Sequence, residues 1–205
     1  MPIPGAGKLA SVENQWFLPI EFNCRVLKTE FGNGSSAGGR TLITILSGGQ
    51  TGVDRAALDA ALETGTRAGG WCPEGRKAED GQIPEVYPLQ ELPGADYLQR
   101  TEQNVVDCDA TLIIYFTNLV GGTARTRDFC ELHGKSHLLV DAGETSESDA
   151  AGQITDFVRR KHIARLNVAG PRASGEPRAY PYTLTALTLF LSAYGDFINR
   201  FELFE

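Results

Sequence analysis

The sequence predicts an α/β protein built on one doubly wound parallel sheet flanked by helices. Short apolar runs rich in β-branched and aromatic residues recur at 42–46, 111–116 and 163–168. Each runs into a glycine-containing polar turn, SGGQTG, GGTART or GPRASG, and stretches of helical composition separate them. Strand, turn and helix in strict alternation is the pattern of parallel strands joined by helical crossovers.

The first strand is expected over 41–47, where Leu42, Ile43, Ile45 and Leu46 form the nearly continuous apolar run needed by a strand buried on both faces. Ala56, Ala57, Ala60 and Ala61 favour helix, placed at 52–64, and a second strand follows at 66–71. A long loop over 72–96 carries Arg76, Lys77, Glu79 and Asp80, and loops of that length in compact domains tend to be functional. A helix at 97–107, the strand 110–116 and a helix at 122–134 come next. The chain continues with strand 136–141, helix 150–161, strand 163–168 and a last helix at 181–202.

Residues 1–40 stand apart. Early prolines and glycines, then Gly32, Gly34, Ser35, Ser36, Gly38 and Gly39, read as an amino-terminal extension and a Gly/Ser-rich linker ahead of a folded domain at 41–205. The apolar segment Trp16–Phe22 is either a docking strand or an appendage, and composition does not choose between them.

The 205 residues suffice for one domain, and the net charge of −7 argues against a nucleic-acid partner. Neither a secretion signal nor an apolar stretch long enough for a bilayer is visible, so a cytoplasmic protein without a membrane partner is expected. Cys24, Cys72, Cys108 and Cys130 form no CxxC pair, and His133, His137 and His162 complete no zinc-like set with them, so no metal ligand is assigned.

The turns carry the chemistry. Gly48, Gly49 and Gly52 allow positive φ and close approach of a ligand, while the helix starting near Gly52 directs free N–H groups and its positive dipole end at the same spot. The spacing is neither the dinucleotide fingerprint nor a P-loop, since Val53 stands where the P-loop lysine belongs. Gly121, Gly122, Thr123 and Thr126 repeat the device, and Gly170, Pro171, Arg172, Ser174 and Gly175 add a third loop. Parallel strands bring such loops to one edge, where open α/β folds hold ligands. A small anionic ligand is the expected partner.

SGGQTGVDRAALDAAL, GGWCPEGRKAEDGQIP, RTEQNVVDCDATLII, GGTARTRDF and NVAGPRAS occur in that order, and with them the chain resembles the putative molybdenum carrier family, the molybdenum-cofactor carrier proteins, over roughly 41–191. The resemblance implies a Rossmann-like fold, shared with the LOG-type nucleotide phosphoribohydrolases, self-association into a homo-oligomer, and a pocket for the phosphate-bearing pterin of the molybdenum cofactor (molybdopterin). Carried over residue by residue, the binding candidates are Gly48, Gly49, Gln50, Thr51, Gly52, Arg76, Gly121, Gly122, Thr123 and Thr126, with Arg100 and Asn104 as secondary candidates. The LOG-type enzymes carry a PGGxGTxxE turn with a catalytic glutamate. Here Val120 replaces the proline, Ala124 and Arg125 replace the GT pair, and Asp128 is an out-of-register carboxylate.

The expected function is therefore binding and storage or transfer of the cofactor by a non-catalytic protein, with nucleotide binding or LOG-like hydrolysis as the alternative. No Ser-His-Asp or Cys-His set assembles, and no catalytic residue is assigned. Several residues keep a plain structural reading beside the functional one. Asp54 fits a helix-start capping role, Cys72 a small buried hydrophobe, and Arg125, Arg127 and Arg172 solvated loop and helix positions.

Overall fold

The computed structural model describes residues 43–201, with side chains through residue 196. The expected extension and linker, and the start of the first strand, lie outside the described residues. In chain order the elements begin with β1 (Thr44–Leu46), α1 (Val53–Glu63), β2 (Arg67–Gly69), β3 (Trp71–Pro73), β4 (Lys77–Ala78), β5 (Gly81–Gln82) and β6 (Gln90–Leu92). They continue with α2 (Tyr97–Val106), β7 (Ala110–Tyr115), α3 (Gly121–Leu132), β8 (Ser136–Asp141), α4 (Glu147–Lys161), β9 (Arg165–Ala169) and α5 (Ala179–Phe201).

The main sheet has five strands in the order β2-β1-β9-β7-β8, and every pairing in it is parallel. The expected α/β fold with a doubly wound parallel sheet is thus present, and β7 shows how it is sandwiched. Leu112 and Ile114 join the cluster formed with α1, α4 and α5, whereas Ile113 packs with Val105 of α2 and Cys130 of α3 on the other face. All three of these β7 side chains are at most 1% exposed, which explains the unbroken apolar run. Truncating any of them to alanine would cost about 2–5 kcal/mol.

α5 packs against both α1 and α4, burying Ala186, Leu187 and Phe190 completely. Two neighbours explain why its apolar positions outnumber a single helix stripe; Leu189 remains 46% exposed.

The expected 72–96 loop is not structureless. β3 pairs with β6 in parallel and β4 with β5 as a small hairpin, over a satellite core of Leu58, Cys72, Ile83, Tyr87 and Leu89. Strands of two or three residues are too short to leave a periodic signal. The strand expected over 66–71 breaks at Gly70, whose backbone (φ 129°) lies so close to Ser47 that a Cβ would sit 2.1 Å from its carbonyl oxygen. There the chain leaves the main sheet for the smaller one. α4 starts earlier than expected because Ser146 caps it, its Oγ accepting from the Asp149 N–H at 3.1 Å.

Candidate functional site

The carboxyl ends of β1, β7 and β9 meet at a crevice of about 400 Å³. Gln50 comes from the turn after β1, Asp54 from the first turn of α1, and Tyr97, Arg100 and Thr101 from the first turns of α2. Tyr115 and Phe116 close the end of β7, the start of α3 forms another wall, and Pro171, Arg172 and Glu176 approach from the β9 loop.

The first turn differs in its use from the sequence expectation. A Cβ on Gly48 would lie 1.4 Å from Arg100 Nη1, on Gly49 2.5 Å from Leu89 Cδ1, and on Gly52 2.4 Å from the Pro171 carbonyl oxygen. These glycines admit neighbouring parts of the protein, and Gly48, Gly49 and Gly52 are not among the crevice walls. The start of α1 is likewise served from within. Val53 N–H donates to the Pro171 carbonyl (3.2 Å), and Gln50 N–H donates to Asp54 Oδ2 (3.3 Å). The Asp54 carboxylate occupies the position where a helix dipole favours an external anion.

Thr51 also turns to the protein, its hydroxyl hydrogen-bonding Glu79 and accepting from Ala173 N–H at 3.1 Å. Gln50 is placed in the crevice wall, with Oε1 accepting from Thr51 N–H (3.0 Å) and Glu79 N–H (2.9 Å).

Arg76 lies away from the crevice. Its guanidinium donates to the carbonyls of Ile83 (3.0 Å), Leu89 (3.1 Å), Pro84 (2.8 Å) and Tyr87 (3.0 Å), so it organises the 74–89 segment. Asn104 is similarly occupied, pairing with both N–H and carbonyl of Trp71 at 2.8 and 3.0 Å.

Gly121, Gly122, Thr123 and Thr126 do line the crevice. The N-cap Val120 offers no side-chain acceptor, and Ala124 N–H is the first to find a carbonyl, that of Val120 at 3.3 Å. Among the described residues no acceptor serves the N–H groups of 121–123. Gly121 takes φ 58°, and a Cβ on either glycine meets nothing within 4 Å, so the helix start is open. Thr126 Oγ1 donates back to the Gly122 carbonyl (3.1 Å), holding the turn in shape.

A second polar feature is the pair Asp54–Arg100, 3.2 Å apart and nearly enclosed. Burial pushes the Asp54 carboxyl above its ordinary value, against the opposing pull of Arg100 and the backbone N–H of Gln50. Among the described residues Arg100 Nε has no hydrogen-bond partner. Arg172, 60% exposed, stands at the rim 3.7 Å from Glu79.

The remaining candidates fall outside the crevice. Arg127 and Asp128 pair with each other at 2.7 Å on α3, and Arg125 is not in the wall. Cys72 is fully buried in the satellite core, and burial raises its thiol pKa. Among the described residues no group of three or more His, Cys, Asp or Glu is placed to hold a metal ion, and no helix is long and apolar enough to cross a membrane.

The aromatic walls and Glu176 escaped the sequence reading. Tyr115 and Phe116 were visible only as the end of an apolar strand, and Tyr97 as a helix start. A strand terminating in two aromatics just before a Gly-Gly turn was the available signal.

The model of the circularly permutated YpsA SLOG family matches residues 45–191. The chain belongs to this family. The family match covers all five strands of the main sheet but begins one residue inside β1. Among solved structures, the chain is similar to a putative molybdenum carrier protein from Syntrophus aciditrophicus SB, at 48% identity and a TM-score of 0.72. That similarity covers 74% of this chain and 96% of the other. No curated protein gives a significant match.

Proposed function

We propose that this family member binds the molybdenum cofactor, as a phosphorylated pterin, and stores it or passes it on without chemical change. The observation that carries the reading is the open start of α3, where unserved N–H groups and two glycines face the crevice. A phosphate is the ligand group that such a helix end stabilises best. Tyr97 and Tyr115 supply apolar faces for a flat ring in the same cavity. The name of the Syntrophus relative supports the choice of ligand.

Hydrolysis of a nucleotide would need a carboxylate beside the sugar near this turn. Asp128, the sequence candidate, is paired with Arg127 away from the crevice, and the two carboxylates in the crevice wall, Asp54 and Glu176, are held in ion pairs with Arg100 and Arg178. A non-catalytic role in the cytoplasm therefore remains the proposal, together with self-association through the outer surface of α5 around Leu189. Mass spectrometry of small molecules released on denaturing freshly purified protein tests the ligand. A phosphorylated pterin in near-stoichiometric amount is expected, and a nucleotide in its place would refute the pterin.

A further inference from the structure

Two buried arginines in this domain have very different surroundings. Arg76, 5% exposed, gives four of its five guanidinium N–H groups to backbone carbonyls. Arg100, 9% exposed and in the crevice wall, makes one side-chain ion pair among the described residues, Nη1 to Asp54 Oδ2, and its Nε finds no acceptor among them. A guanidinium only donates, and an unmet buried donor carries a cost of about 1–3 kcal/mol. A structural arginine would have collected carbonyls, as Arg76 did.

The chain also goes to some length to seat Arg100. The guanidinium lies over Gly48, in the space any larger residue would take for its Cβ. The result is a guanidinium in the crevice wall, with N–H donors beyond the one that Nη1 gives to Asp54, in the same cavity as the open start of α3.

We infer that Arg100, with Asp54 next to it, selects the heterocycle of the ligand by taking the oxo oxygen of a ring –NH–C(=O)– edge, as in pterins, guanine and hypoxanthine, over the amino-substituted edge of adenine. A carbonyl oxygen offers two lone pairs to the donor-rich guanidinium, and the adjacent ring N–H meets the carboxylate. Adenine places an amino donor where the oxo group belongs and offers only a single ring-nitrogen lone pair beside it. The inference rests on the proposed phosphorylated-heterocycle reading of the crevice and narrows it to one class of ring.

Calorimetric titration with GMP, IMP and AMP tests it, since the three share ribose and 5′-phosphate and differ in the ring edge. GMP and IMP are expected to bind at least about tenfold more tightly than AMP, the effect of one charged hydrogen bond. Arg100→Lys, which keeps the charge but loses the fork, and Gly48→Ala, which displaces the guanidinium, should both bring the GMP-to-AMP ratio towards one. Thermal melts establish that these variants are folded, and the wild-type ranking decides the matter if either is not. AMP binding as tightly as GMP overturns the selection by Arg100 while leaving the phosphate site standing. Failure of all three nucleotides and of 6-hydroxymethylpterin phosphate to bind removes the crevice reading and this inference together.

Discussion

Gly122→Asp separates ligand binding from folding at the start of α3. Gly122 is the second residue of that helix, and a Cβ there meets nothing within 4 Å. For the fold the change is favourable. Replacing a helical glycine gains about 0.5–1 kcal/mol, and a carboxylate in the first turn adds about 0.3–1 kcal/mol through the helix dipole. For a bound phosphate the same carboxylate is a like charge at close range. At about 4 Å and an effective dielectric of about 20, two unit charges repel by about 4 kcal/mol, equivalent to about a thousandfold in affinity. The variant should melt at or above the wild-type temperature while calorimetry with 6-hydroxymethylpterin phosphate shows binding weakened by that order. The repulsion should also shrink with added salt to the extent that solvent reaches the site. A folded variant that binds within about tenfold of wild type would refute the assignment of phosphate to α3, since screening alone does not remove so large a term.

Other variants address the supporting structure. Gly49→Ala introduces a Cβ at φ 74° and 2.5 Å from Leu89 Cδ1, so a loss of about 2–3 kcal/mol in urea unfolding is expected, and an unchanged midpoint would contradict the packing described. Arg76→Met leaves four carbonyls of the 83–89 segment without their donor and should cost about 3–5 kcal/mol, with new protease cleavage between 74 and 92; wild-type resistance would speak against its organising role. Glu79 links three loops. Burial alone would raise its pKa, but hydrogen bonds from Ser174 and Thr51 outweigh that and hold it below 4.5. The stabilisation is therefore complete above the unfolded value of 4.5 and is lost as pH falls through the lower folded value. Glu79→Gln should show a smaller drop in melting temperature between about pH 5 and about pH 3 than wild type, and equal slopes would eliminate this contribution.

The strands β7, β8 and β9 and the helices around them were legible because each is long or apolar enough to show its period, whereas three-residue β2 was read only as part of a longer strand over 66–71. TLIIYF announces β7 directly, since residues on both of its faces are buried. The small ladders within 71–92 were not, because their order comes from Arg76 binding carbonyls seven to thirteen residues later, which no local pattern records. The site was legible at the level of its edge. Which glycines serve a ligand was not, because SGGQTG and GGTART look alike in sequence. The difference lies in what fills the space beside them, Arg100, Leu89 and Pro171 in one case and open crevice in the other. Asp54 read as a helix cap, and its partner stands 46 positions away.

The sheet order has a consequence for how the molecule comes into being. β9, which ends at residue 169, lies between β1 and β7 and is the element that joins them. While the chain is being synthesised, β1–β2 and β7–β8 exist as two separate pairs, each with an open edge, until that strand leaves the ribosome. Pairings so distant in sequence form slowly, and exposed strand edges invite association with other chains. Nascent or truncated forms ending before residue 165 should therefore depend on chaperones and accumulate as aggregates. The crevice, whose walls stand on both pairs and on β9 itself, would be the last part of the protein to exist, so no ligand is captured before the whole sheet has closed.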